Sequence, residues 1–210
     1  AETVIEKCFD SVTSILVNVS KLYYLALLNF TKEKRKDLSA ILKKTKDLNE
    51  ETKKIKKNVH VTIRKLKEDE IESGHHYVQV LDYLKETSNC LEFIVRPLYN
   101  HLDNNHPPLN DAQINELITF NENMSEYFNF ALTILRQVSF EHLDELRAMR
   151  DELINQSKVL KKNQIKLLKK VGKGTKVSLV YIDILTESKN MLLFITNVIE
   201  AQKQLNDKGD

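Results

Sequence analysis

Apolar residues recur along this chain at alternating spacings of three and four, the mark of helices that each bury one stripe. The pattern predicts six helices. The first carries Ile5, Cys8, Val12, Ile15, Val19, Leu22 and Ala26; the second Leu38, Ile41, Thr45, Leu48, Thr52, Ile55, Val59 and Leu66, with lysines packed around the seam. A third uses Val80, Leu84, Leu91, Ile94 and Leu98. After Pro107-Pro108, the "NDAQ" capping box at Asn110 to Gln113 opens a fourth with Ile114, Leu117, Met124, Phe128, Ala131, Leu135 and Val138. The fifth shows Leu146, Met149, Leu153, Leu160, Leu167 and Val171, the sixth Tyr181, Leu185, Leu192, Ile195 and Ile199.

Glycine and proline place the breaks. Gly74 is expected to end the second helix and Gly172 with Gly174 the fifth, while the double proline separates the third from the fourth. Each half then holds three helices joined by short loops, which makes neighbours antiparallel. The expected fold is all-α: two tandem antiparallel three-helix bundles over residues 1–106 and 107–210.

Composition agrees with this class. Four Gly, three Pro and no Trp among 210 residues, with 41% hydrophobic and 30% charged residues, leave little turn chemistry for an all-β protein. The chain is long enough to build cores without a disulfide or metal staple. Cys8 and Cys90 show no Cys-x-x-Cys spacing, which points to a reducing, cytosolic compartment. Between Ser11 and Thr31 only Lys21 is charged, yet Ser11, Thr13, Ser14, Asn18, Ser20 and Asn29 are too polar for a membrane span, and no basic start or cleavage site marks a signal sequence. A start at Ala1 fits either a trimmed N-terminus or a domain taken from a longer protein.

The net charge of +2 argues against a surface given over wholly to nucleic acid. Its distribution is uneven. Lys32 to Lys67 carries a net +9, and Lys158 to Lys176 contains eight lysines and no acid. Such runs fit the solvated outer faces of long helices, or a surface that meets anionic lipid or, less readily, nucleic acid.

One pattern occurs twice. Asp82, Glu86, Asn89 and Phe93 in "DYLKETSNCLEFI" return 101 residues later as Asp183, Glu187, Asn190 and Phe194 in "DILTESKNMLLFI". Residues 77–98 laid over 178–199 give seven identities. Shared Leu and Ile are expected of any two amphipathic helices, but a shared Asp, Glu and Asn are not, so an internal duplication is the economical account. At about 100° per residue the four repeated residues lie nearly opposite Leu84, Leu91 and Ile94. Three readings follow. The stripe is a packing seam between halves or chains, with Phe93 and Phe194 as interface contacts; it is a metal site in which Asp82, Glu86, Asn89, Asp183, Glu187 and Asn190 offer oxygen ligands to a divalent or trivalent ion; or the repeat is coincidental or serves partner binding.

Two tandem three-helix bundles with an acidic motif in the third helix of each resemble the PhoU family of phosphate-uptake regulators. That family's motif is of the type Leu-Glu-Arg-Ile-Ala-Asp-His, whose acids bind metal. The matching stretches here are Leu84-Lys85-Glu86-Thr87-Ser88-Asn89-Cys90 and Leu185-Thr186-Glu187-Ser188-Lys189-Asn190-Met191, with Lys85 and Thr186 in place of the first acid and Asn89 and Asn190 in place of the second. The stretch "FIVRPLYNHLDNNHPPLNDAQINEL", residues 93–117, is similar to the PhoU-like cytoplasmic region of bacterial sodium/phosphate cotransporters. The resemblance implies a regulatory domain of phosphate uptake in the cytoplasm, partnered with a membrane transporter in cis or in trans, with a homodimer and contact with the anionic inner membrane surface as further possibilities.

Other chemistry is sparse. The chain has no glycine-rich phosphate loop, no Gly-x-Ser-x-Gly elbow and no His-Glu-x-x-His helix. His101, Asp103 and His106 cluster before Pro107, where turn and capping roles compete with metal binding, and His75 and His76 read as solvent-exposed. No nucleophile and base pair stands out, so catalytic residues are not expected.

Overall fold

A computed structural model of the protein describes residues 4–171 and 174–207, with the side chains of all but Val4, Ile5 and Val171. Gly172 and the side chains of Ile5 and Val171, singled out by the sequence pattern, lie outside the described residues. Among the described residues the fold is entirely helical, with six long helices. They are α1 (Val4–Thr31), α2 (Arg35–Lys57), α4 (Ile71–Asp103), α5 (Asp111–Gln137), α6 (Leu143–Val171) and α7 (Thr175–Asp207). A short helix, α3 (Val59–Ile63), and a single 3₁₀ turn at Glu68–Glu70 fill the link between α2 and α4.

The stripes read from the sequence are the buried ones. Val12, Ile15 and Val19 of α1, Leu84, Leu91 and Ile94 of α4, and Leu185, Leu192 and Ile195 of α7 are all essentially inaccessible to solvent. The most extensive contact between elements joins α4 to α7, and α2 and α6 flank this pair, α2 against α4 and α6 against α7. The helix α1 lies across α4 and also packs on α2 and α5. Having several neighbours, α1 buries more than one stripe, adding Leu16, Tyr23, Leu27 and Phe30 to the pattern. By length and mean hydropathy the segment Glu6–Thr31 could cross a membrane; in this fold it supplies the middle of the core.

Polar groups inside the core are tied together. The Tyr23 and Ser188 hydroxyls share a hydrogen bond of 2.8 Å between α1 and α7. Tyr127 of α5 is bonded in the same way to Thr196 of α7 at 2.7 Å, and Gln113 of α5 donates to Gln164 of α6 at 2.9 Å. Each bond satisfies groups that would be costly to bury alone. The capping box at Asn110 and Gln113 forms as the sequence predicts.

Four expectations need correction. The second helix stops at Lys57 rather than running through Val59 to Leu66, because Asn58 breaks the helical run and the chain turns through α3. Gly74 does not end a helix; it lies buried in the first turn of α4. A β-carbon there would fall 2.5 Å from Leu66 Cδ1, so glycine serves the close approach of the preceding loop. Val138 is not a core residue but the exposed C-cap of α5, with φ of 49°. Leu167 is also exposed, at 38%. Gln113, in the first turn of α5, bonds to Gln164, so α6 beyond that point runs past the start of its neighbour.

Candidate functional site

The paired helices α4 and α7 define the site. Cys90 of α4 lies against Glu187 of α7, and the end of α4 around Arg96–His101 shares a cleft with Lys176–Val180 at the start of α7. The two helices therefore run past each other in opposite directions. On α4, α2 lies on the side marked by the Thr52–Ser88 bond of 3.0 Å and the Asn49–Glu92 bond of 2.9 Å. Cys90 marks the side of α7, while Tyr77, beside Cys8, and His101, against Phe30, mark the side of α1. At about 100° per residue the remaining direction carries Asp82, Glu86, Asn89, Phe93, Arg96 and Asn100, none of which is buried. The repeated stripe thus runs along the side of α4 that no other helix covers. On α7, Asp183, Glu187, Asn190 and Phe194 are likewise outside the buried set.

The two copies differ in detail. Phe93 is 57% exposed, whereas Phe194 packs partly against the core. Asp82 forms a 2.7 Å ion pair with Lys56 of α2. Asp183 is exposed, and partial desolvation lifts its carboxyl above the usual range. Glu187 accepts a long hydrogen bond of 3.4 Å from Asn190 one turn on. It also receives the Cys90 thiol, which is pushed up to about 12, first by burial and then by the charge and hydrogen bond of Glu187 and the charge of Glu86. Two carboxylates, one from each helix, therefore act on a single buried sulfur where α4 and α7 meet.

As arranged, these groups do not make a cation cage. Lys56 occupies Asp82, Asn190 leans on Glu187, and among the described residues no three His, Cys, Asp or Glu side chains stand close enough to share one metal ion.

The histidine cluster is also structural in its contacts. His101 is buried, donates from Nε2 to the Pro107 carbonyl at 2.7 Å, and sets its ring against Phe30. Asp103 pairs with Arg35 at 3.0 Å, and His106 sets its ring at a tilt beside that of His101, at the rim of a cleft of about 350 Å³ lined by Arg96, Asn100, Lys176 and Leu179. His75 is exposed and His76 half-buried in the first turns of α4.

Cys90 is the site residue that sequence reasoning passed over. Its counterpart 101 residues on is Met191, also buried, so a sulfur at equivalent places in both copies was the available signal. In comparisons with known proteins, no family model matches the chain and no curated protein matches it.

Proposed function

We propose that this chain is a non-enzymatic, PhoU-like regulatory domain of phosphate uptake, built by duplication of a three-helix bundle and acting by docking to a membrane transporter. One observation carries the reading. The helices that hold the repeated acid, amide and phenylalanine pattern are the two that pair at the centre, and on α4 the pattern leaves Glu86 and Phe93 exposed to solvent. Ordinary solvated faces do not need the same polar residues twice, and core packing does not use residues that no helix covers. The remaining use is recognition, with Phe93 as an exposed apolar contact inside a polar rim.

A second reading is favoured by the same phenylalanine. An aromatic ring more than half exposed suits self-association through this face, with no transporter involved. Analytical ultracentrifugation of the parent and of Phe93→Ala separates the two. A dimer lost on substitution supports self-assembly; a monomer in both leaves the face free for another partner.

The regulatory reading is tested by phosphate uptake in cells of the source organism that lack the chain. A changed uptake rate at limiting phosphate, restored by the intact chain, is expected. An unchanged rate would remove phosphate regulation from the account.

A further inference from the structure

The outer face of α6 changes character halfway along. Asp144, Glu145, Asp151 and Glu152 come first, with Arg147 and Arg150 held in ion pairs to Asp144, Glu200 and Asp151, then Lys158, Lys161, Lys162, Lys166, Lys169 and Lys170 with no acid among them. Acids at the start and bases at the end of a helix complement its dipole, which is the simplest explanation. That effect acts only within the last turn, however, and Lys158 to Lys162 lie about a turn and a half or more before it.

Position around the helix sharpens the picture. At about 100° per residue, Lys158, Val159, Lys162, Ile165, Lys166 and Lys169 fall within about 60° either side of Lys162. Val159 is 52% and Ile165 59% exposed. None of these lysines takes part in an ion pair among the described residues. Lys189 of α7 extends the field, since Lys161, already partly desolvated, is further disfavoured as a cation by Lys189 and Lys158. The patch is thus a strip of about 18 Å in which unpaired ammonium groups surround two aliphatic side chains.

We propose that the C-terminal half of α6 is a docking strip for an anionic lipid bilayer, with Val159 and Ile165 entering the headgroup boundary and the lysines holding acidic headgroups. The mixture selects this partner. Nucleic acid would use the lysines but has no place for exposed Val and Ile, and a second copy of the strip would meet like charge. The outer side of a helix is convex, so it offers no hole for a protein side chain, whereas a fluid bilayer deforms around it. The first half is net acidic and its two arginines are already taken up in ion pairs, so α6 meets the membrane by its C-terminal half. This inference is independent of the phosphate reading.

Flotation with phosphatidylserine–phosphatidylcholine vesicles tests it. The parent is expected to float with these vesicles at low salt, not with phosphatidylcholine alone, and to release as salt is raised. Each lysine among Lys162, Lys166 and Lys169 replaced by Gln should weaken binding about fivefold. Val159→Ser with Ile165→Ser should weaken it as well, while Lys46→Gln with Lys54→Gln on α2 should not. All positions are exposed on helices, and circular dichroism checks that each variant is folded. Binding that ignores the α6 substitutions, or follows the α2 ones equally, would overturn the proposal. So would no binding at low salt, or binding to duplex DNA that matches the vesicles and is indifferent to the Val159 and Ile165 changes.

Discussion

The buried thiol of Cys90 on α4 lies against the carboxylate of Glu187 on α7, a residue of the repeated stripe, and burial together with that carboxylate holds the thiol's proton. The contact links the packed side of the helix pair to its open side.

Alkaline pH should reveal this coupling. The folded state holds the protons of Cys8 and Cys90 up to about 12, against 9.0 for the free thiol, in both cases chiefly through burial. Above about pH 9 the unfolded chain releases these protons while the folded chain keeps them, so their contribution is full below pH 9 and fades as pH rises towards 12. Urea midpoints of the parent should fall between about pH 8 and pH 10. Cys90→Ala should flatten that fall, and Glu187→Gln should flatten it partly. Equal slopes in parent and both variants would show that Cys90 is not held as described.

The Tyr23–Ser188 bond should behave as one unit. Both groups are inaccessible to solvent, so removing either leaves the other unpaired, at about 1–2 kcal/mol each. In a double-mutant cycle, Tyr23→Phe and Ser188→Ala together should cost clearly less than the two single changes added. Additive losses would mean that the hydroxyls do not depend on each other.

Val138 is strained. A β-branched residue at φ of 49° pays for a left-handed conformation that glycine adopts freely. Because its side chain is exposed, little packing is lost on removal. Val138→Gly should stabilise the protein by about 1 kcal/mol, raising Tm by about 2–4 °C in a chain of this size. A lowered Tm would show that the valine packs where the cap geometry says it does not.

The arrangement of the acids also has a consequence for metal. With Asp82 held by Lys56 and no three ligand side chains converging among the described residues, treatment with EDTA and then with Mg²⁺, Zn²⁺ or Fe³⁺ should leave Tm within about 1 °C, since a ligand that does not bind adds no stability. A rise of several degrees, abolished by Glu86→Ala with Glu187→Ala, would show that the two carboxylates recruit an ion.

Much of the fold was legible because it rests on periodicity. Val12, Leu84 and Leu185 announce their burial by spacing alone, and Asn110 with Gln113 marks a helix start that forms as written. Local features that depend on three-dimensional neighbours were not legible. Gly74 looks like a helix end until Leu66 is placed against it. Val138 and Leu167 continue apolar stripes, but one becomes a cap and the other outruns the helix that would have covered it. For the site, the repeat could be read directly, while the Lys56–Asp82 pair and the Cys90–Glu187 contact appear only once α2, α4 and α7 are side by side.

The central claim is that the open face of α4 is kept for recognition and not for stability. It is tested by returning a variant with Glu86→Ala, Asn89→Ala and Phe93→Ala to cells that lack the chain, and measuring phosphate uptake alongside the Tm of the purified protein. Uptake that stays uncorrected, with Tm within about 2 °C of the parent as for other exposed substitutions, is the result this account requires. Full restoration of uptake by the folded variant would contradict it.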